Sequence, residues 1–129
     1  MAQPISLRLS LLSETLAVCR LGPDAPVPDW AWTGEPASVT RTCDELSIVC
    51  RADAVPDGVR REDGWRCLKV QGPLDFALTG IMARLTEPLA AAGISVFVLS
   101  TYDTDYVMVR AQNLERATDA LRGAGHRIG

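Results

Sequence analysis

The chain opens on a strict alternation. Ile5, Leu7, Leu9 and Leu11 fall on one side of an extended segment, with Ser6, Arg8 and Ser10 on the other, the period of two that marks a half-buried strand. Beyond Ser13-Glu14 a second apolar run, TLAVCRL, is placed to pair back on the first as a hairpin. The stretch GPDAPVPDWAWTGEP is dense in Pro and Gly and reads as loop, with at most one short helical turn near residues 28–31. ASVTRT and LSIVCR then predict two strands joined by Cys43-Asp44-Glu45. The polar, punctuated segment ADAVPDGVRREDG is the best internal boundary, which divides the chain into halves at 1–60 and 61–129.

The second half carries the clearer pattern. WRCLKVQ reads as a strand of this half, because it feeds straight into the loop GPLDFALTG. A helix follows over GIMARLTEPLAAAG, with Ile81, Met82, Leu85 and Leu89 on one face. Pro88 lies inside it, where it removes one backbone hydrogen bond and crowds the carbonyl of Arg84, so a kink is expected. Gly93 is placed to end the helix in a left-handed conformation. ISVFVLS is apolar on both faces and is expected to be covered on both, with YVMVRA as its return strand. Asn113 suits the N-cap of a last helix along which Leu114, Ala117, Leu121 and Ala124 recur, and Gly123 or Gly125 can stop it. His126-Arg127-Ile128 leaves room for a short final strand. The order strand, helix, strand, strand, helix, strand is the βαββαβ arrangement of ferredoxin-like α+β folds, with antiparallel sheets. The first half gives the same order with its helices reduced.

Composition narrows the classes of function. Of 129 residues 47% are hydrophobic, and Lys plus Arg number 13 against 16 Asp plus Glu. The basic residues are scattered, so the concentrated positive field of a nucleic-acid binder is missing. No apolar run approaches the roughly 18 residues of a membrane span, and Arg8 and Glu14 interrupt the start where a signal peptide needs unbroken apolar residues. A soluble, cytoplasmic protein is expected. Cys19, Cys43, Cys50 and Cys67 are widely spaced and accompanied by a single His, which points to buried reduced thiols rather than a metal site. No nucleophile stands with a base in any familiar pattern and no Gly-rich phosphate loop occurs, so neither catalysis nor a cofactor is expected.

Two segments carry a resemblance. GPLDFALTGIMARLTEPLAAAGISVFVLSTYDTDYVMV and TRTCDELSIVC resemble the ACT domain family, in particular small tandem-ACT proteins related to the cytosolic arginine sensors of animals, and the regulatory domains of aspartokinases. The resemblance covers the second half densely and the first half in one patch. It implies two ACT-like halves that act as a regulatory module, binding a small ligand, usually an amino acid, at an interface between ACT domains, and it makes a homodimer the expected assembly. The alternative it leaves open is an ACT-like oligomerisation or docking module that binds no ligand.

Carried over residue by residue, the resemblance assigns ligand contacts to Leu78, Thr79, Gly80 and Ile81 before and at the start of the helix, and to Thr101, Tyr102 and Asp105 beyond the following strand. The chemistry agrees. An α-carboxylate suits the unpaired N–H groups of a helix N-terminus, which Gly80 lets a ligand approach closely, and an α-ammonium needs an acid such as Asp105. In the arginine-sensing relatives an acid also lies just before the loop glycine, where this chain has Leu78 and Thr79, with Asp75 the nearest acid. Blander readings exist for each feature. Asp and Thr are favoured turn residues, so STYDTD also reads as a plain hairpin turn; Trp30 and Trp32 read as a lid on the core; and His126 reads as a solvated strand-end residue.

Overall fold

The computed structural model describes residues 6–72 and 80–129. Within them run the strands β1 (Arg8–Leu21), β2 (Ser38–Arg41), β3 (Leu46–Arg51) and β4 (Arg60–Val70), then helix α1 (Ile81–Ala91), strands β5 (Val96–Ser100) and β6 (Asp105–Arg110), helix α2 (Leu114–Gly123) and strand β7 (Arg127–Ile128). The chain divides into two compact units, one formed by Ser13–Trp65 and the other by Arg66–Gly129 with the N-terminal segment up to Leu12. Both β1 and β4 therefore contribute residues to each unit, and of WRCLKVQ all but Trp65 falls in the second.

β1 is one unbroken strand of 14 residues, not the hairpin expected at Ser13-Glu14. A two-residue hairpin needs positive φ at its tip, which Gly or Asn supplies. Ser and Glu do not, and no non-Gly residue among those described adopts positive φ. The apolar phase shifts instead along the strand: Leu7 and Leu9 are buried, Leu11 is exposed, and burial resumes at Leu16, Ala17 and Cys19.

The unit built on Ser13–Trp65 has the strand order β2-β3-β1-β4. β3 pairs antiparallel with β1 (Cys19 opposite Ile48) and with β2 (Val39 opposite Ile48). In place of the two crossover helices stand single 3-10 turns at Asp29–Trp32 and Ala52–Ala54. The cause is compositional: Pro23, Pro26, Pro28 and Pro36 crowd the first crossover, and each lacks a helix-forming N–H. The loop fills the core in the helix's stead, with Ala25, Val27, Trp30 and Ala31 packed on Ala17, Cys19, Leu46, Ile48 and Cys50. The Arg41 guanidinium fastens it by donating to the carbonyls of Pro23 and Ala25. Trp30 thus packs on the core as expected, whereas Trp32 is 63% exposed and Cys43 is also exposed, because both sit at loop tips away from the apolar face.

The other unit is the ferredoxin-like βαββαβ run, with one addition. Its strand order is β5-β6-β4-β1, and β7 pairs with β1 rather than with β4. The N-terminal strand has entered between the first and last strands of the run. β7 lies parallel to it, Arg8 opposite Arg127 and Leu9 opposite Ile128, held by N–H donors of Arg127 to the Leu7 carbonyl (2.8 Å) and of Gly129 to the Leu9 carbonyl (2.9 Å). On the helix-bearing face, Leu7, Leu9, Leu68, Val70, Val107 and Val109 pack against Ile81, Leu85, Leu89, Ala117 and Leu121. β5 ends the sheet, and its residues Val96, Phe97, Val98 and Leu99 are only half-buried. The two-sided cover expected of ISVFVLS is thus only partial from Val96 onward among the described residues.

The two helices terminate in the same way. The N–H of Ile94 donates to the Leu89 carbonyl and that of Gly93 to Ala90; likewise His126 donates to Leu121 and Gly125 to Arg122. Gly93 (φ 73°) and Gly125 (φ 95°) supply the left-handed residue that this paired closure requires. Asn113 stands at the N-cap of α2 as expected, yet its amide oxygen accepts from the Arg116 guanidinium and makes no capping bond to the backbone.

The helix ending aims the His126 ring inward, where it is 5% exposed rather than solvated. Nδ1 accepts the Leu7 N–H at 3.1 Å, so Nε2 carries the ring proton and donates to the Arg84 carbonyl at 3.0 Å. That carbonyl is the one Pro88, four residues on, cannot serve. One imidazole therefore satisfies the acceptor left by Pro88 and a donor on the inserted strand. Replacing His126 by Ala should lower unfolding free energy by about 1–3 kcal/mol, the cost of orphaning buried polar groups, as read by urea denaturation. In a double-mutant cycle, Pro88→Ala should offset part of this loss by returning an N–H to Arg84; strict additivity would show that the two residues do not share that carbonyl.

Candidate functional site

The expected site residues fall on two features of the βαββαβ unit. Leu78 and Thr79 lie outside the described residues. Gly80 is the N-cap of α1, in the left-handed region at φ 75°, and no side chain among the described residues caps the helix there. The first-turn N–H groups of Ile81 and Met82 have no intrahelical acceptor, and no acid occupies that turn. Among the described residues nothing lies within 4 Å of the place a Cβ on Gly80 would take. The Ile81 side chain is buried in the core, so only its backbone is available to a ligand.

Thr101, Tyr102 and Asp105 belong to the β5–β6 hairpin. The Thr101 N–H donates to the Thr104 carbonyl (2.8 Å), and the Thr101 hydroxyl both donates to that carbonyl and accepts the Thr104 N–H. Thr104 is buried, and its hydroxyl donates to the Val70 carbonyl at 2.7 Å. Tyr102 projects from the tip, 82% exposed. Asp105 opens β6 opposite Ser100, whose hydroxyl donates to its carboxylate at 2.7 Å.

The β2–β3 hairpin of the other unit is built alike. The Thr42 N–H donates to the Glu45 carbonyl (2.9 Å), and the Thr42 hydroxyl accepts the N–H groups of Asp44 and Glu45 at 3.1 Å. Thr42-Cys43-Asp44-Glu45 and Thr101-Tyr102-Asp103-Thr104 are thus two copies of one Thr-x-Asp-x turn. Turn chemistry accounts for Thr101 in full. It does not require Asp105, whose counterpart in the first copy is Leu46.

Three cavities flank these elements. One of about 240 Å³ is lined by Lys69, Gln71, Gly72, Thr101, Asp103, Thr104 and Tyr106. In the Ser13–Trp65 unit, one of about 440 Å³ is bordered by Glu14, Thr15, Arg51, Ala52 and Asp53, where Arg51 and Asp53 pair at 2.6 Å. The third, about 200 Å³, runs past Arg20, Glu45, Ser47, Arg60, Arg61, Glu62 and Cys19. The hydrogen bond with the Cys50 thiol, together with burial, pushes the Cys19 thiol well above the usual range, so it stays protonated and a poor nucleophile. Among the described residues no group of three His, Cys, Asp or Glu side chains is placed to hold a metal, and no helix is long and apolar enough to cross a membrane. Sequence reasoning missed Lys69 and Gln71.

Comparison with known proteins agrees with this architecture. A family model described as the ACT domain matches residues 60–123, and a second, for an N-terminal domain, matches residues 14–58. A crystal structure of a protein from Agobacterium tumefaciens superposes with a TM-score of 0.92 at 42% identity, over 97% of this chain and 93% of that one. The human protein named cytosolic arginine sensor for mTORC1 subunit 1 is 36% identical over 59 residues, 45% of this chain but only 18% of the sensor's own length. The regulatory subunit of aspartate kinase from Thermus thermophilus shares the fold, with a TM-score of 0.61 at 12% identity over 95% of this chain and 99% of that one. Taken with the βαββαβ order, the matched segment shows that residues 60–123 belong to the ACT domain family.

Proposed function

We propose that this protein is a small-molecule sensor of the ACT type, regulatory rather than catalytic, which binds a free amino acid and changes the surface it offers to a partner. The observation that carries the reading is Asp105, a carboxylate that follows its turn at the position where the other unit's copy has the fully buried Leu46. The uncapped start of α1 supplies the complementary feature, unpaired N–H groups suited to an α-carboxylate, with Gly80 leaving the approach open. Leu78, Thr79, Gly80 and Ile81 would hold the anionic end of the ligand, and Thr101, Tyr102 and Asp105 the cationic end. The arginine sensing named for the matched relative supports an amino acid as the ligand class.

The ligand-free docking module is the weaker reading, because such a module would fill the space beside Gly80 with a bulky side chain. Tyr102, the residue best placed in the sequence to do so, is instead turned outward and 82% exposed. The bare edge of β5 supports a homodimer in either case, since Val96–Ser100 contains none of the lysines or prolines that usually protect a sheet edge.

Titration with the common L-amino acids should raise the melting temperature for at least one of them, because a ligand that binds only the native state stabilises it. Asp105→Ala should abolish that rise while costing no more than about 1 kcal/mol of stability, as its partner Ser100 is exposed. No response to any amino acid would sink the reading. Light scattering should give a dimer mass that falls toward monomer in Phe97→Lys, which sets a charge on the β5 edge; a wild-type monomer at every concentration would exclude pairing through this strand.

A further inference from the structure

Two thiols meet inside the Ser13–Trp65 unit. Cys19 lies opposite Ile48 on β3, and Cys50 lies opposite Ala17 on β1. The cysteines are therefore diagonal neighbours across an antiparallel pair, on the face that carries the core of this unit. Both are buried and neither is in a disulfide. A hydrogen bond joins their side chains, and the Cys50 thiol reaches on to the Arg51 carbonyl at 3.6 Å. The order of donors follows, with the Cys19 S–H given to Cys50 Sγ and the Cys50 S–H given to the carbonyl. None of the residues assigned to the ligand belongs to this unit.

A thiol pair in an apolar core is ordinarily inert. Two features distinguish this one. A guanidinium is fixed beside it: Arg61 donates through Nη1 to the Val55 carbonyl at 2.9 Å and pairs through Nε with Asp63 at 3.2 Å. Its charge favours the thiolate at both sulfurs, and Asp63 opposes it at Cys19 alone. Cys19 and Arg61 also line one cavity, that of about 200 Å³, which offers a very small molecule a way to the pair. Donation from Cys19 draws the Cys50 thiol below its usual range, with Arg61 acting in the same direction and burial opposing both. Cys50 is thus the nucleophile of the pair, and Cys19 keeps its proton.

We infer that Cys19 and Cys50 form a peroxide-responsive dithiol, a modification site that closes to an intrachain disulfide and reopens with a thiol reductant. Cys50 Sγ attacks one oxygen of hydrogen peroxide; the O–O bond breaks, the sulfur becomes a sulfenic acid, and the departing hydroxide leaves as water with the Cys50 proton. Cys19 Sγ then attacks the Cys50 sulfur; the S–O bond breaks, and the second hydroxide leaves as water with the Cys19 proton. Both thiols are oxidised, and one peroxide is reduced to two waters. Closure shortens the thiol contact to the roughly 2.0 Å of a disulfide and draws β1 toward β3 beneath Val27 and Trp30, which pack on this core.

The test uses the whole chain carrying Cys43→Ser, which removes the exposed thiol and leaves Cys19, Cys50 and Cys67. The native protein is treated with hydrogen peroxide, then denatured in N-ethylmaleimide and weighed by mass spectrometry. Only Cys67 should remain to be alkylated, the chain should be lighter by two hydrogens before alkylation, and a cross-linked peptide pair should carry Cys19 and Cys50. Dithiothreitol should restore all three thiols. The rate should rise in proportion to peroxide, and Cys67, equally buried, should react about ten-fold more slowly or less. In Cys19→Ala the reaction should stop at a Cys50 sulfenic acid that dimedone traps, and Arg61→Gln should slow the Cys50 step about ten-fold. Three alkylated thiols after treatment would overturn the proposal. So would Cys67 reacting as fast as the pair, or a rate independent of peroxide and set by unfolding of the chain. A Cys50 step unchanged in Arg61→Gln would overturn the role of the guanidinium.

Discussion

The fold of the βαββαβ unit depends on a strand that the sequence places at the other end of the chain. The segment from Leu7 to Leu11 supplies backbone carbonyls to Arg127 and Gly129 and an N–H to the Gly129 carbonyl, so it stands where β4 and β7 would otherwise meet. A backbone inserted there must find partners for every buried N–H and C=O. β7, only two residues long, cannot do this alone, and His126 completes the pairing by taking the Leu7 N–H. The same ring corrects a defect 42 residues away in the chain, the Arg84 carbonyl that Pro88 leaves unserved. Helix, inserted strand and chain end are thus fixed by one side chain whose tautomer is dictated by its two neighbours.

The two units also show that strand order survives the loss of helices. Both follow the ferredoxin-like sequence of strands, yet one closes its core with two amphipathic helices and the other with a Pro-rich loop. What the core requires is apolar volume over the sheet. Leu85, Leu89 and Leu121 provide it in one case, and Trp30, Ala31 and Val27 in the other. The loop carries a cost in backbone polar groups that helices satisfy internally, which the Arg41 guanidinium offsets in part by bonding two loop carbonyls.

Much of this was legible in the sequence. The period-2 runs located β2, β3, β5 and β6, the 3.6-residue repeat located both helices, and Gly93 marked its helix end, because each signal is local and acts through the backbone. What could not be read was long-range. Ser13-Glu14 looked like a turn only because the apolar phase slips there. In the fold, the slip marks the residue at which one strand passes from one unit's core to the other's. His126 looked solvated because neither Leu7 nor Arg84 is near it in sequence. ISVFVLS looked doubly covered because periodicity reports which faces are apolar and is silent on which strand lies at an edge. The residues assigned to ligand by resemblance divide similarly: the Asp105 carboxylate is half-buried and bonded to the Ser100 hydroxyl, whereas the Ile81 side chain serves the core.

The duplicated turn separates scaffold from site more sharply than any single residue does. Where two copies of a motif share a residue, the fold suffices to explain it, and the hydroxyls of Thr42 and Thr101 each accept the N–H of the residue three positions on. Where the copies differ, the fold is satisfied in more than one way and the difference is free to serve something else. Leu46 against Asp105 and Ser47 against Tyr106 are such differences, and they put a carboxylate and an aromatic ring in the helix-bearing unit. In the other unit Arg20 is bound to the turn and Leu46 is fully buried, so the equivalent positions have been absorbed into packing. The two copies thus keep one turn architecture in common, and the positions beside the turn are where the helix-bearing unit departs from it.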